Sequence, residues 1–345
     1  MKDQRFGIEI EMTGITREKA AALIAGMFGT DAVHVGGVYG AYSVRDSTER
    51  QWKVVSDSSI DCERRPLERM VGREYAVEVV SPICTYEDIK TIQKIVRILR
   101  EAGAIVNKSC GIHVHVDASR HTAKTLRNLV NIMAAKEELL YKTLRVHVRR
   151  EDYCKKVNTR FLDALNRLRP QSLQDMENIW YNGNSRRRST HYDGTRYHAL
   201  NLHSVFNKGT IEFRLFNSTL HAGEVKAYIQ LCLAISHQAL MQTRASPSRT
   251  HSDNEKYTFR TWLLRLGLIG KEFESARMHL LKNLEGNIAW RDPAQATRQK
   301  ERLAAKRLSE PQAPPAVAAG IETLNVEQEQ DDGQADGRSG MALPQ

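Results

Sequence analysis

Two short segments of the sequence place ionisable side chains at every second position of a predicted β-strand. FGIEIEM near the amino terminus carries Glu9 and Glu11, and CGIHVHVD carries His113 and His115. Because side chains alternate across a strand, the two glutamates share one face and the two histidines share one face. A sheet containing both strands therefore has an apolar face for a core and a face of acids and imidazoles.

Two further predicted strands show the same pattern. Glu78 interrupts the apolar strand VEVV, while Glu212 and Arg214 share one face of TIEFRLFN, opposite Phe213 and Leu215. Taken alone, a glutamate on a strand usually faces solvent, a histidine in a sheet usually belongs to the core, and a surface Glu–Arg pair contributes little. If the four strands are neighbours, their concentrated negative charge requires cations.

The donor set indicates which cation such a site would hold. Carboxylates with some imidazole and no clustered thiolates favour Mg²⁺ or Mn²⁺, and zinc bound by His113, His115 and a glutamate is the alternative. Carboxylate-bound divalent ions mostly serve phosphate chemistry, and Arg214 suits the charge of a transferred phosphoryl group. The sequence has no P-loop or dinucleotide-type glycine-rich loop, so a bound ATP would be held by metals and the sheet.

Strand and helix patterns alternate along the chain as far as residue 290. This alternation favours an α+β fold, with an antiparallel or mixed sheet lined on one side by helices. Residues 196–206 and 209–217 are predicted as two strands joined by a turn at NKG. We predict one folded domain over residues 1–290, a basic helical extension over 291–310, and a disordered acidic tail over 311–345, because the tail has too few apolar residues to offset its chain entropy.

The charge and the cysteines limit the environment and partners of the protein. The formal net charge is +10, and acids are concentrated from Glu310 onward, so the preceding part is more basic still and attracts anions. No apolar run is long enough to cross a bilayer, and no basic-then-apolar leader is present. The five cysteines are odd in number, scattered and without a CxxC pair. We therefore expect a cytoplasmic protein.

Taken in order, six segments resemble the putative amidoligase family, a branch of the carboxylate–amine ligase superfamily with glutamine synthetase and glutamate–cysteine ligase. They are FGIEIEM, WKVVSDSSI, VEVVSPI, CGIHVHVD, RYHALNLHS and GTIEFRLFNSTL, and the resemblance runs over residues 6–240. It implies that residues 1–290 form an amidoligase-like catalytic domain. The implied fold is that of the glutamine synthetase catalytic domain, a curved, mostly antiparallel β-sheet backed by helices, with the active site on its concave face.

The resemblance also implies roles for individual residues. Glu212 and Arg214 match a metal-binding acid and the arginine that steadies the transferring phosphate, so both are candidate catalytic residues. In the loop DSSI, Asp57 and Ser59 keep the residue types of the family, whereas Ser58 replaces a glycine. The implied metal-binding residues are Glu9, Glu11, Glu78, His113, His115 and Glu212. The implied nucleotide-binding residues are Arg196, Tyr197, Asn201, His113 and Arg214.

The implied reaction is ATP-dependent amide formation with Mg²⁺, or Mn²⁺, as the metal. A carboxylate takes the γ-phosphoryl group of ATP, and an amine then attacks the acyl phosphate, which gives an amide or isopeptide, ADP and phosphate. The implied partners are a nucleotide, a carboxylate and an amine, which could belong to an amino acid, a peptide or a protein. Neither a membrane nor a nucleic acid is expected as a partner.

Three alternatives stay open from the sequence. A phosphotransferase of the same fold, like the guanidino kinases, would transfer phosphate without forming an amide. A metal-dependent hydrolase that uses His113, His115 and Glu78 would bind zinc and act without ATP. A basic nucleic-acid-binding module is suggested by the clusters NSRRRSTHYDGTR and RVHVRRED, and its binding would depend on salt but not on Glu11.

Overall fold

One open sheet organises the computed structural model, which describes residues 1–64, 71–190 and 192–309. Within these residues the sheet has eight strands in the order β2-β3-β4-β5-β1-β6-β8-β7, and all of its strand pairs are antiparallel. The strands are β1 (Phe6–Met12), β2 (Ala32–Gly36), β3 (Ala41–Arg45), β4 (Gln51–Val55), β5 (Val77–Val80), β6 (Gly111–Asp117), β7 (Leu200–Asn201) and β8 (Thr210–Asn217). The mixed α+β class and the antiparallel pairing are confirmed, while the curved, glutamine-synthetase-like form of the sheet stays a prediction.

Several helices begin and end at residues that capping chemistry favours. The first helix starts after Thr16, whose hydroxyl accepts a hydrogen bond from the Lys19 amide, and ends at Gly29 in the left-handed conformation (φ 70°). The helices are α1 (Arg17–Phe28), α2 (Ile89–Glu101), α3 (Ala123–Leu144), α4 (Val148–Glu151), α5 (Thr159–Leu168), α6 (Leu173–Trp180), α7 (His203–Lys208), α8 (Ala222–Met241), α9 (Glu255–Arg265), α10 (Glu274–Leu281) and α11 (Pro293–Ser309). None of the helices in the described part of the chain has the length and hydropathy that a bilayer crossing requires.

The chain divides after residue 298. Residues up to Arg298 form one compact unit, and a second unit starts at Gln299. Helix α11 overlaps the segment predicted as a basic helical extension, while the predicted acidic tail, residues 311–345, lies outside the described residues. The predicted domain boundaries themselves stay predictions.

One face of the sheet forms the hydrophobic core. On this face Ile10 of β1 lies opposite Val79 of β5 and Ile112 of β6, and Val114 lies opposite Phe213 of β8. Helices α1, α3 and α8 contact the sheet, and α2 packs against α1 and α8. The acids and histidines alternate with these apolar residues, so they are restricted to the other face.

A bulge adjusts the register between β6 and β8. Ile112 lies opposite Phe216, whereas Val114 lies opposite Phe213, so β8 has one extra residue at this point. Simple alternation placed Leu215 on the same face as Phe213, but the register shows that Phe216 takes the next core-facing pair. The bulge lies beside Arg214, where β8 borders the polar face.

The strand predicted over residues 196–206 is wrong for most of its length. Only Leu200 and Asn201 pair with β8, and the chain then enters α7. The side-chain oxygen of Asn201 accepts a hydrogen bond from the His203 amide at 2.9 Å, which turns the chain out of the extended conformation. Before the strand, Gly194–Arg196 forms a 3₁₀ turn capped by Asp193.

Replacing Phe213 by alanine should destabilise the fold strongly. This side chain is fully buried at the centre of the core face, so its loss removes apolar contacts and leaves a cavity that costs about 3–5 kcal/mol. Urea unfolding measures the change. The control Val38→Ala alters a side chain that is 97% exposed and should leave the unfolding midpoint unchanged; equal effects of the two substitutions would contradict this description of the core.

Candidate functional site

The pairing of four neighbouring strands brings all the residues predicted to bind metal onto one face. Glu11 of β1 lies opposite Glu78 of β5, and Glu9 of β1 lies opposite His113 of β6. Side chains directly opposite one another on antiparallel strands point the same way and are in contact range. On the far side, His115 of β6 lies opposite Glu212 of β8, which completes the cluster.

The two histidines lie between the carboxylates. Nδ1 of His113 is 2.9 Å from Oε2 of Glu9, and its Nε2 is 3.7 Å from Oε1 of Glu11. Nε2 of His115 is 3.2 Å from Oε1 of Glu9 and 3.8 Å from Oε1 of Glu212. Glu9 therefore contacts both imidazoles.

Within the described residues, three groups of side chains have ligand atoms close enough together to hold a cation. Each group has all its ligand atoms within 4.8 Å of one another, and neighbouring groups share Glu9 or Glu78. The groups are Glu9–Glu78–His113, Glu9–His115–Glu212 and Glu11–Asp57–Glu78. Asp57 was not among the predicted metal-binding residues, because it comes from the loop after β4 rather than from an alternating strand.

The ring of His115 indicates that the residues present fit a metal ion. Its Nδ1 lies 3.1 Å from the Thr210 hydroxyl, whereas its Nε2 is buried and forms no hydrogen bond with any described residue. Although Oε1 of Glu9 lies 3.2 Å from this Nε2, the two do not form a hydrogen bond. A divalent cation would bind this Nε2 together with the carboxylate oxygens. The Thr210 hydroxyl would fix the orientation of the ring, as hydrogen-bond partners of metal-bound histidines do.

Glu78 and Glu11 resist ionisation. Burial and the charges of Glu9 and Glu11 raise the pKa of Glu78 well above its ordinary value. Burial, with the charge of Asp57, also raises the pKa of Glu11 to about 7, although Arg150 and the Gly111 amide oppose this shift. A bound cation would reverse these shifts, because it favours the ionised carboxylates.

Glu9 and Glu212 are stabilised as anions by neighbouring imidazole and guanidinium groups. Burial alone would raise the pKa of Glu9, but His115 and His113 outweigh it and hold this pKa well below its usual range. The pKa of Glu212 falls to about 2 because Arg214 and His115 outweigh burial. Burial, together with Arg214, lowers the pKa of His113 to about 4, which leaves this imidazole neutral and able to bind a metal.

Two side chains fix the orientation of Glu212. Arg214 donates a hydrogen bond to Oε1 of this acid, and Nδ2 of Asn201 donates to Oε2 at 2.6 Å. Arg214 is only 6% exposed and, like Glu212, points from the polar face of β8. The two candidate catalytic residues are therefore one ion pair at the edge of the cluster, and Asn201 contacts the acid.

A cleft of about 720 Å³ opens over the cluster. The guanidinium carbon of Arg196 lies 5.5 Å from the ring centre of Tyr192 and 5.8 Å from that of Tyr197, and Tyr153 packs edge-on against Tyr197. Of the predicted site residues, the cleft is lined by Glu11, His113, Arg196, Tyr197 and Arg214. The further lining residues include Asp57, Arg149, Arg150, Tyr153 and Tyr192.

The sequence prediction missed Arg150 and Asp57 as cleft residues for different reasons. Arg150 belongs to the cluster RVHVRRED, which suggested a nucleic-acid-binding module, yet its side chain is buried. Asp57 was noted only for keeping a family residue type. Neither residue lies in an alternating strand, so no local periodicity marks it.

A comparison with family models matches residues 2–236 to the family described as "Putative amidoligase enzyme". The chain belongs to this family. The match starts before β1 and ends within α8, so the amidoligase region includes all the strands and every predicted site residue. No curated protein matches the chain.

Replacing Glu78 by glutamine should make the metal-free protein more stable above neutral pH. The raised pKa of Glu78 means that the folded state keeps this proton to higher pH than the unfolded chain does. The contribution of Glu78 to the free energy of unfolding is therefore fully present below the pKa of the unfolded chain, near 4.5. It is lost as the pH rises through the pKa of the folded state. The loss is roughly 1.4 kcal/mol for each unit between the two values.

Thermal unfolding in the presence of a chelator, followed across this pH range, measures the effect. Glutamine cannot ionise, so the variant should lose less stability with rising pH than the wild type. Added Mg²⁺ should stabilise the wild type at alkaline pH and stabilise the variant much less. The same pH dependence in both proteins would contradict the burial of Glu78 among like charges.

Replacing Asp57 by asparagine should weaken binding of divalent cations. The variant removes one carboxylate from the Glu11–Asp57–Glu78 group, and we expect a loss of about tenfold or more in Mn²⁺ affinity. Asp61 is a matched control in the same loop, since it pairs with Arg149 at 3.3 Å and belongs to none of the ligand groups. If Asp61→Asn weakens Mn²⁺ binding as much as Asp57→Asn in calorimetry, Asp57 is not a ligand.

Proposed function

We propose that this amidoligase is an ATP- and Mg²⁺-dependent carboxylate–amine ligase that forms an amide or isopeptide bond through an acyl phosphate. The observation that carries the proposal is the convergence of carboxylates and imidazoles from β1, β5, β6 and β8 on one face of the sheet. This cluster borders the cleft that Glu11, His113 and Arg214 line. Membership of the amidoligase family supports the ligase class. The polar face, opposite the helix-covered core, also supports our proposal that the sheet corresponds to the glutamine synthetase catalytic sheet.

The ligand groups favour Mg²⁺, with Mn²⁺ as a substitute. Each group has at least two carboxylates and at most one histidine, which is the donor set of hard divalent ions. In our proposal the ions are held by Glu9, Glu11, Asp57, Glu78, His113, His115 and Glu212. When bound, the metal neutralises charge on the phosphate oxygens of the nucleotide.

The proposed reaction has two steps. An oxygen of the substrate carboxylate attacks the γ-phosphorus of ATP, and the bond between that phosphorus and the bridging oxygen of ADP breaks. The amine nitrogen then attacks the acyl carbon and loses a proton. The bond from that carbon to the phosphate oxygen breaks, and phosphate leaves. Arg214, held by Glu212 and nearly free of solvent, would stabilise the negative charge of the transferring phosphoryl group.

The rest of the cleft offers contacts for a nucleotide and an organic substrate. The rings of Tyr153 and Tyr197 give an aromatic surface, and Arg196 adds positive charge beside it. Such surfaces suit a base or another planar group with nearby anionic groups. The carboxylate and the amine could come from an amino acid, a peptide or a protein.

The structure gives less support to a zinc hydrolase or a nucleic-acid-binding module. His113 and His115 fall into different ligand groups, so they do not form one site with Glu78. The basic cluster NSRRRSTHYDGTR is partly neutralised, because Arg187 pairs with Asp193. A phosphotransferase of the same fold would use the same metals, and only the dependence of ATP turnover on an amine distinguishes it from a ligase.

Release of ADP in the presence of Mg²⁺ tests the proposal. Across a panel of carboxylates and amines, turnover should require both substrates together, and Glu212→Ala should reduce it by about a hundredfold or more. Glu138→Ala is the control, because this exposed glutamate pairs with Lys156 outside the cleft and should keep full activity. Turnover with one substrate alone would indicate a phosphotransferase or an ATPase, and product formation without ATP would indicate a hydrolase.

A further inference from the structure

Arg150 is a buried cation close to the cleft. It is 4% exposed, and among the described residues no acid forms an ion pair with it. Its Nη2 donates to the backbone carbonyl of Arg214 at 2.9 Å, while its Nε is buried and has no hydrogen-bond partner in the part of the chain that the structure describes. A guanidinium taken out of water without an anion is costly, so this arrangement calls for a ligand that supplies negative charge.

The fold makes room for this guanidinium at one position. Gly111 starts β6, and a Cβ atom added there would lie 1.7 Å from Nη1 of Arg150. The absence of a side chain at Gly111 therefore lets the guanidinium pack directly on the strand. The Gly111 amide donates to Oε2 of Glu11 at 2.6 Å, so Arg150 is seated beside the metal-binding acids.

Arg214 supplies a second donor of the same kind. Its Nε is also buried and has no hydrogen-bond partner among residues 1–64, 71–190 and 192–309, and both arginines line the cleft together with Glu11 and His113. Glu11 lies within electrostatic range of Arg150, but no hydrogen bond or ion pair joins them. Two buried N–H donors on permanently charged groups match the acceptor oxygens of phosphate or carboxylate.

We infer that Arg150 and Arg214 together form an oxyanion-binding site in the cleft, here called the arginine pair. Its ligand is a phosphate or carboxylate group that accepts hydrogen bonds from both guanidinium groups. Only the source of that group rests on the proposed function, in which it is either a phosphate of the nucleotide or the carboxylate that becomes activated. Gly111 is a positioning residue, because it determines where the Arg150 guanidinium lies.

Calorimetric titration of the full chain with inorganic phosphate, in the presence of Mg²⁺, tests the arginine pair. Arg150→Met should lower phosphate affinity by about tenfold or more, and Arg150→Lys should recover part of it, since a lysine keeps the charge but not the planar donors. Gly111→Ala should cause a similar loss with the charge retained, because it displaces the guanidinium. Arg249→Met is the control, as it removes one exposed positive charge outside the cleft and should leave the affinity unchanged.

Competition distinguishes the two sources of the oxyanion. If phosphate and a non-hydrolysable ATP analogue exclude each other, the arginine pair takes a phosphate of the nucleotide. If phosphate binds beside the analogue and is displaced by glutamate as a carboxylate probe, the pair takes the substrate carboxylate. Neither measurement needs turnover. Phosphate binding without ligase activity would therefore contradict the proposed function but not the arginine pair.

A crystal of the wild-type protein soaked in tungstate provides a test without any variant. The anomalous signal of tungsten should lie within hydrogen-bonding distance of both guanidinium groups. A folded Arg150→Met protein, verified by circular dichroism, that binds phosphate as tightly as the wild type would overturn the inference. So would tungstate bound only at other positions.

Discussion

Two carboxylates that face each other across neighbouring strands, Glu11 of β1 and Glu78 of β5, set the chemistry of this protein. Like charges that are close together and shielded from water oppose each other's ionisation, and the raised pKa values of both groups express this conflict. The neighbouring pairs, Glu9 with His113 and His115 with Glu212, extend the same polar face and add neutral or cationic partners. The whole face therefore combines acids and imidazoles in an arrangement that added positive charge would stabilise.

The hydrophobic core fixes the geometry of the site. Ile8 and Ile10 alternate with the glutamates of β1 and are buried under the helices. A slip of one residue in the strand register would exchange the two faces of the strand. The free energy gained by burying the isoleucines therefore also determines which face the acids occupy. The stability of the fold and the position of the ligands thus depend on the same strand pairing.

The sequence predicts those features that rest on local periodicity. The alternation in FGIEIEM, CGIHVHVD and TIEFRLFN predicts that Glu9, His113 and Glu212 each lie on the polar face of their own strand. That these faces form one surface depended on the strands being neighbours, and the pairing of β6 with β1 and β8 meets this condition. It does not predict contacts made by residues outside the strands, so Asp57 from a loop and Arg150 from the four-residue helix α4 were missed as cleft residues. The extent of β7 was wrong for a related reason, since the Asn201 side chain competes with the extended backbone and starts a helix.

The central claim is that this face holds more than one divalent cation, and counting bound Mn²⁺ by electron paramagnetic resonance tests it most directly. Because Glu9 belongs to two of the ligand groups, the ions should lie close enough for their spins to couple. Titration of the metal-free protein should reveal at least two bound ions with this coupling, and Glu9→Gln should abolish it. A single uncoupled ion, or no tightly bound ion, would contradict the account.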